Sequence, residues 1–227
     1  MRTPTNHREN GFTLIEILIV TTIFGILAGV AVPNLMSSRL AANEAAVIAT
    51  MRAISTAQFQ FQSSGELDVD RDAGFEFGTF GELAALDELR GSSTKLARNL
   101  LSTGSAEVNA VGWATHHGFH FCLYLPEASG AGLAGMPANA GAIDPGQAHG
   151  YWTCLAWPID VGSTGRRAFF VNQQGQVLQA MGTSYSGSTL VPPPGAGLIG
   201  VPEGNINSHR LAVDTFGADG HHWVPIH

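Results

Sequence analysis

Charge is scarce in this chain. Asp, Glu, Lys and Arg make up 13% of its 227 residues, and 11 Lys and Arg against 18 Asp and Glu leave a formal charge of −7. So few cations cannot build the basic face that follows a phosphate backbone, and nucleic acid is not an expected partner. Cysteine is scarcer still. Cys122 and Cys154 are too few for a disulfide scaffold and enough for one bridge. Catalytic signatures are also missing: there is no GxSxG, no HExxH, no Walker loop and no GxGxxG after a strand. No catalytic residue is assigned, the chain is not expected to be an enzyme, and no cofactor is implied. What the chain does have is apolar material. Hydrophobic residues reach 44%, with 4 Trp and 12 Phe, which excludes a disordered chain and suffices for one domain with a real core plus an anchor.

The anchor is the stretch HRENGFTLIEILIVTTIFGILAGVAVPN, from His7 to Asn34. Its apolar block, Phe12 to Val32, is 21 residues long. At roughly 1.5 Å per residue a helix of that length is about 30 Å, the thickness of a hydrocarbon core. The flank before it holds Arg2 and Arg8 against Glu9, so the start is expected to stay cytoplasmic and the rest to be translocated. A cleaved secretory signal fits poorly, because VPNLMSSRLAANEAA continues the helical pattern beyond the block. A plain anchor leaves Glu16 unexplained, since a carboxylate near the membrane core costs about 2.5–3.5 kcal/mol on insertion scales and less near the interface. Gly25 and Gly29 make a GxxxG spacing, a weak signal for close helix approach, and Pro33 removes a backbone donor and is expected to kink the helix.

GFTLIE, with a short basic leader before Gly11, an apolar run after Glu16 and Pro33 at the end of that run, resembles the N-terminus of type IV pilins and of the pseudopilins of type II secretion. The resemblance implies a membrane peptidase that cuts between Gly11 and Phe12, removes residues 1–11 and methylates Phe12. It also implies that Glu16 neutralises the Phe12 ammonium of a neighbouring subunit during assembly. The implied partners are like and related subunits, the prepilin peptidase and methyltransferase, an inner-membrane assembly platform and the membrane itself. The implied location is the inner membrane, single pass with the head in the periplasm, and then a surface or periplasmic filament. The function implied is a structural subunit of a type IV pilus or pilus-like filament. The alternatives are a pseudopilin of a type II secretion system and a membrane-anchored binding protein that never polymerises.

Beyond Pro33 the helical pattern continues to about Gln62, with Val47, Met51, Ile54 and Phe61 on one apolar stripe and Arg39, Glu44, Arg52 and Gln60 largely off it. Residues 12–62 are therefore expected as one long helix, its first half 12–32 transmembrane and its second half scaffold. SSGELD, at 63–68, stops it. Residues 63–227 read as one α+β head built on a small antiparallel sheet. GTFGELAALDEL (78–89) and TKLARNLL (94–101) read as short helices. GFHFCLYLP (118–126), GYWTCLAWPI (150–159), RRAFFVN (166–172) and QVLQAM (176–181) read as strands of a meander, with Gly175 turning a hairpin. These stretches also look like the head strands of pilin-like proteins. Residues 126–150 form a Gly, Ala and Pro-rich excursion, expected to be a mobile surface loop. The tail from about residue 191 follows a stiff proline run and adds an edge strand or lies across the head.

Two further expectations concern His and Cys. His116, His117, His120, His209, His221, His222 and His227 invite a metal site. Gly118 and the aromatic alternation after it suggest one strand, along which His116 and His120 stand some 13 Å apart at about 3.3 Å per residue, so no metal is expected. For the cysteines, translocation makes an intramolecular bridge possible, against two separate buried thiols or a bridge to another chain. If the strands at 118–126 and 150–159 are neighbours in a register that pairs Pro126 with Gly150, Cys122 faces Cys154 within disulfide reach, and a slip of one residue puts them on opposite faces.

Overall fold

The computed structural model describes residues 12–226; the leader through Gly11, and His227, lie outside the described residues. The chain divides into two units, Met1–Arg39 and Leu40–His227. Helix α1 (Leu14–Ser64) contributes to both. Its bounds lie within two residues of those read from the sequence, and it continues through Pro33 as one helix.

In the second unit, α1 buries Val47, Met51, Ile54 and Phe61, the stripe that the spacing predicts, and Leu40 ahead of them. Glu44 and Gln58 lie on the same buried face, so the expectation that Glu44 falls off the stripe is not met. The sheet has eight strands: β1 (Trp113–His116), β2 (Phe119–Pro126), β3 (Gly132–Ala134), β4 (Thr153–Pro158), β5 (Arg167–Asn172), β6 (Leu178–Met181), β7 (Thr215–Phe216) and β8 (His222–Pro225). Their order is β1-β2-β4-β5-β6-β8-β7, with β3 also paired to β2, and every pairing is antiparallel. This is the expected α+β meander, extended by an edge from the tail. Gly175 takes φ 74 in the β5–β6 hairpin, where an L side chain would be strained.

Both faces of the sheet are covered. Phe121, Leu123, Cys154, Phe169 and Val171 face the α1 stripe in one core. Tyr124, Leu155, Trp157, Phe170 and Leu178 face the tail residues Tyr185, Leu198, Ile206 and Trp223 in a second. Double coverage explains why β2, β4 and β5 read as near-continuous apolar runs.

Five expectations are corrected. The β2–β4 register pairs Cys122 with Leu155 and Leu123 with Cys154, one residue away from the register that pairs Pro126 with Gly150. The cysteines therefore point to opposite faces, one into each core, and both are free and buried. The connection between β2 and β4 is not a plain loop that would fix the facing register. It carries β3, a 3-10 turn at Pro137–Ala142 and helix α3 (Pro145–Ala148), with Ile143 and Ala148 buried, so it is a built part of the head and not a loose excursion. At 78–89 the helix shrinks to α2 (Phe80–Leu83). The Thr79 and Glu82 side chains form a capping box, and then Ala85 takes φ 54 while the N–H groups of Leu86 and Asp87 turn back to the Gly81 carbonyl. TKLARNLL is irregular, because Leu96 and Leu101 are buried singly and the Leu100 and Leu101 N–H groups donate to the Leu83 carbonyl. Finally, His116 and His120 do not share a strand. His117 (φ 50) and Gly118 (φ 75) form a two-residue turn between β1 and β2, so His116 pairs with Phe119 and Thr115 with His120.

Candidate functional site

The first unit presents an apolar surface with almost nothing polar on it. Every residue from 12 to 39 is exposed, and between Glu16 and Arg39 no side chain is charged. An 18-residue window here has mean hydropathy 2.4, so the helix is long and apolar enough to cross a membrane. Its serine and threonine hydroxyls are satisfied internally. The Thr21 hydroxyl donates to the Ile17 carbonyl at 3.0 Å, Thr22 to Leu18 at 2.7 Å, and Ser37 and Ser38 to Asn34 at 3.0 and 2.9 Å. Backbone groups and hydroxyls paired within one helix are what a segment in lipid requires.

Glu16 stands in the first turn of α1, exposed, and its backbone N–H donates to the Thr13 hydroxyl at 3.2 Å. Thr13 is the residue that the sequence reading missed. The signal was available, since Thr13-x-x-Glu16 has the spacing of a capping box. A carboxylate in the first turn also faces the positive end of the helix dipole, which favours charge there by about 0.3–1 kcal/mol. Glu16 therefore has one local reason to be acidic besides any partner outside the chain. Phe12, beside it, is 78% exposed. Gly11 lies outside the described residues, so the bond at which cleavage is expected has only its Phe12 side in view. No heavy atom lies within 4 Å of where a Cβ on Gly25 or Gly29 would sit, which leaves that small-residue face open. Pro33 withdraws the N–H that would reach the Gly29 carbonyl, on that same face.

The second carboxylate of α1 does different work. Glu44 Oε1 accepts the Arg166 N–H at 2.8 Å, and Oε2 accepts Arg167 Nε at 2.7 Å together with its Nη2. Arg167 also donates to Gln179 Oε1 at 2.5 Å. The Asn43 amide donates to the Thr164 carbonyl at 3.0 Å, and Gln58 exchanges two bonds with Gly78, 2.7 Å and 2.9 Å. These polar ties fix the scaffold half of α1 to the loop before β5 and to the turn before α2.

The remaining sequence candidates are dispersed. Burial lowers the pKa of both His116 and His120, with the nearby His117 adding to the effect at His116. His209 packs on Tyr151, His222 on Phe216, and His221 bonds Asp219 at 3.2 Å. His227 lies outside the described residues. Among the described residues no histidine joins a group of side chains close enough to share an ion. Burial pushes the Cys122 thiol up to about 12 and Cys154 well above its ordinary range, so neither is a reactive thiolate.

Comparison with known proteins bears on the same segment. Residues 6–32 match the family model of the prokaryotic N-terminal methylation motif. The chain is 40% identical over 73 residues to the type IV major pilin protein PilA of Myxococcus xanthus, covering 32% of each chain. It is 42% identical over 50 residues to the type II secretion system core protein G of Klebsiella pneumoniae, 22% of this chain and 36% of that one. It is 56% identical over 39 residues to the type IV wide pilus major component PilA4 of Thermus thermophilus, 17% and 30%. The chain spans about a third of the length of these curated relatives. No solved structure matches it. Its N-terminal segment thus carries the methylation motif and is similar to pilins and pseudopilins, proteins whose names describe structural components.

Proposed function

We propose that this chain is a structural subunit of a type IV pilus or pilus-like filament, held in the membrane by α1 and polymerised through it. The observation that carries this reading is the stretch from Phe12 to Arg39: wholly exposed, apolar, internally hydrogen-bonded, and marked by one acid at Glu16. A helix that offers so much apolar surface needs lipid or other helices around it. In the proposed sequence of events, the peptidase cuts between Gly11 and Phe12 on the cytoplasmic side, residues 1–11 are lost and Phe12 is methylated. The head lies in the periplasm until the assembly platform moves the subunit into the filament. There Glu16 meets the Phe12 ammonium of a neighbour, and the desolvation of acid and amine is offset by pairing. The open face of Gly25 and Gly29 supports close helix approach, and Pro33 marks the place where α1 can yield. No catalytic role is assigned to any residue.

The similarity to core protein G supports a second reading, a pseudopilin that forms a short periplasmic filament for secretion. Mass spectrometry of filaments sheared from the cell surface separates the two. A main component that starts at methylated Phe12 supports the pilus, a chain with that same start retained in the envelope of secreting cells supports the pseudopilin, and an intact leader in assembled filaments defeats both.

A further inference from the structure

The loop that follows α1 gathers three carboxylates. Its sequence DVDRDAGFE, residues 68–76, places acids at every second position from Asp68 to Asp72 and another at Glu76. One carboxylate oxygen from each of Asp68, Asp70 and Glu76 lies within 4.8 Å of those of the other two. Two oxygens bound to one calcium ion at about 2.4 Å can be no farther apart than about 4.8 Å, so the three already meet that limit.

Glu76 adds an independent observation. It is fully buried, its Oε1 accepts the Val69 N–H at 2.8 Å, and its Oε2 has no hydrogen-bond partner among the described residues. Asp68 repeats the pattern: Oδ2 accepts the Ala73 N–H at 3.2 Å, and Oδ1 is buried without a partner. A buried carboxylate oxygen lacking any donor is strongly unfavourable unless a cation or a proton meets it. Burial raises the pKa of Glu76, and Asp70 adds to the rise. Arg90, the cation that opposes this, is already engaged by Glu82 at 3.1 Å and by the Phe77 carbonyl. Asp72 stands apart from the group, with Oδ1 accepting the Gly74 N–H at 2.7 Å. Neither His nor Cys takes part, so the ligands are all hard oxygen.

We propose that Asp68, Asp70 and Glu76 bind one divalent cation, and that calcium, which accepts irregular all-oxygen coordination, is the ion that fits. The ion would brace the loop between α1 and α2 where it lies against the excursion that precedes β4. The two already meet there: the Phe77 N–H donates to the Ala148 carbonyl at 2.9 Å, and Asp70 Oδ2 lies 4.0 Å from where a Cβ on Gly146 would be. The site stands whether or not the chain forms filaments.

The test uses the full chain in detergent, stripped with chelator and titrated with calcium chloride by calorimetry, with a thermal melt at each concentration. One saturable site per chain is expected, together with a melting temperature that rises with calcium up to roughly millimolar concentrations, the range of extracellular calcium modules. Asp70→Asn, at an exposed position, should weaken binding at least tenfold and remove the thermal shift, and Asp72→Asn should change neither. If Glu76 is simply a buried protonated acid, Glu76→Gln will be neutral and calcium will shift neither protein, which overturns the site. A calcium response that survives in Asp70→Asn overturns it as well.

Discussion

Residues 12–39 and the unit from Leu40 onward solve opposite problems with the same helix. The first stretch leaves every side chain exposed and keeps its polar groups bonded within one turn. The second buries Glu44, Gln58 and an apolar stripe against the sheet and sends its polar groups to partners outside the helix, Glu44 to Arg166 and Arg167 and Gln58 to Gly78. A segment complete in hydrogen bonds yet incomplete in apolar contacts is built for surroundings supplied by something else. A segment complete in both is a scaffold. One carboxylate marks each half, and their partners show the difference: among the described residues Glu16 has no long-range partner, whereas Glu44 has the Arg166 N–H and the Arg167 guanidinium.

The comparison breaks most sharply at the N-terminus. Gly11→Val should leave an uncut precursor in the membrane and no filaments, detected by N-terminal mass spectrometry. Glu16→Val should be inserted and cut normally and fail to assemble in order, with the melting temperature of the head unchanged; well-formed filaments from this variant would remove the pairing from the assembly scheme. Glu44→Ala should do the reverse. It leaves insertion and processing intact and strands the Arg167 guanidinium, destabilising the head by about 3 kcal/mol in chemical denaturation of the full chain in detergent. The doubly changed Glu44→Ala, Arg167→Met chain should recover part of that loss, because the uncompensated charge is gone. Smaller effects come from the sheet. Cys122→Ser and Cys154→Ser should each cost about 1–2 kcal/mol by placing a hydroxyl in an apolar core, and the losses should add because the two side chains lie on opposite faces. Two thiols that titrate only after unfolding without reductant agree with this register, and a single shared loss with no titratable thiol would contradict it. The smallest effect concerns acidity. His116 and His120 have depressed pKa values, so the folded state prefers their neutral forms. Stability should be full above the ordinary histidine value near 6.5 and should fall as pH drops through that range, with a shallower fall in His120→Gln.

Local signals carried much of this fold, and long-range ones carried the rest. The α1 stripe, strands β2, β4, β5 and β6 and the Gly175 turn follow from period and turn chemistry within a few residues. The Thr13 cap is equally local, because Thr13 and Glu16 stand at capping-box spacing in the sequence itself. The misses differ in cause. Glu44 lies three residues before Val47 and seven before Met51, so helical spacing places it on the stripe and only its charge argued otherwise, the arginines that satisfy it lying far off in sequence. The cysteine register depends on how residues 127–152 are built, which no window around either cysteine contains. The truncated α2 is the same lesson at shorter range: Glu82 takes the Arg90 N–H and side chain, and that contact outweighs the helical propensity of AALDEL.

The placement of β8 has a consequence in time. It lies between β6 and β7, and its Trp223 is fully buried in the second core against Phe170. A ribosome adds roughly 5–20 residues per second and releases the amino end first. Tyr185, Leu198 and Ile206 can close over most of the second core before the β6 edge and the Phe170 ring receive their last cover from residues 222–225. Closure of the β6 edge is thus a late event in synthesis, set by residues 222–225.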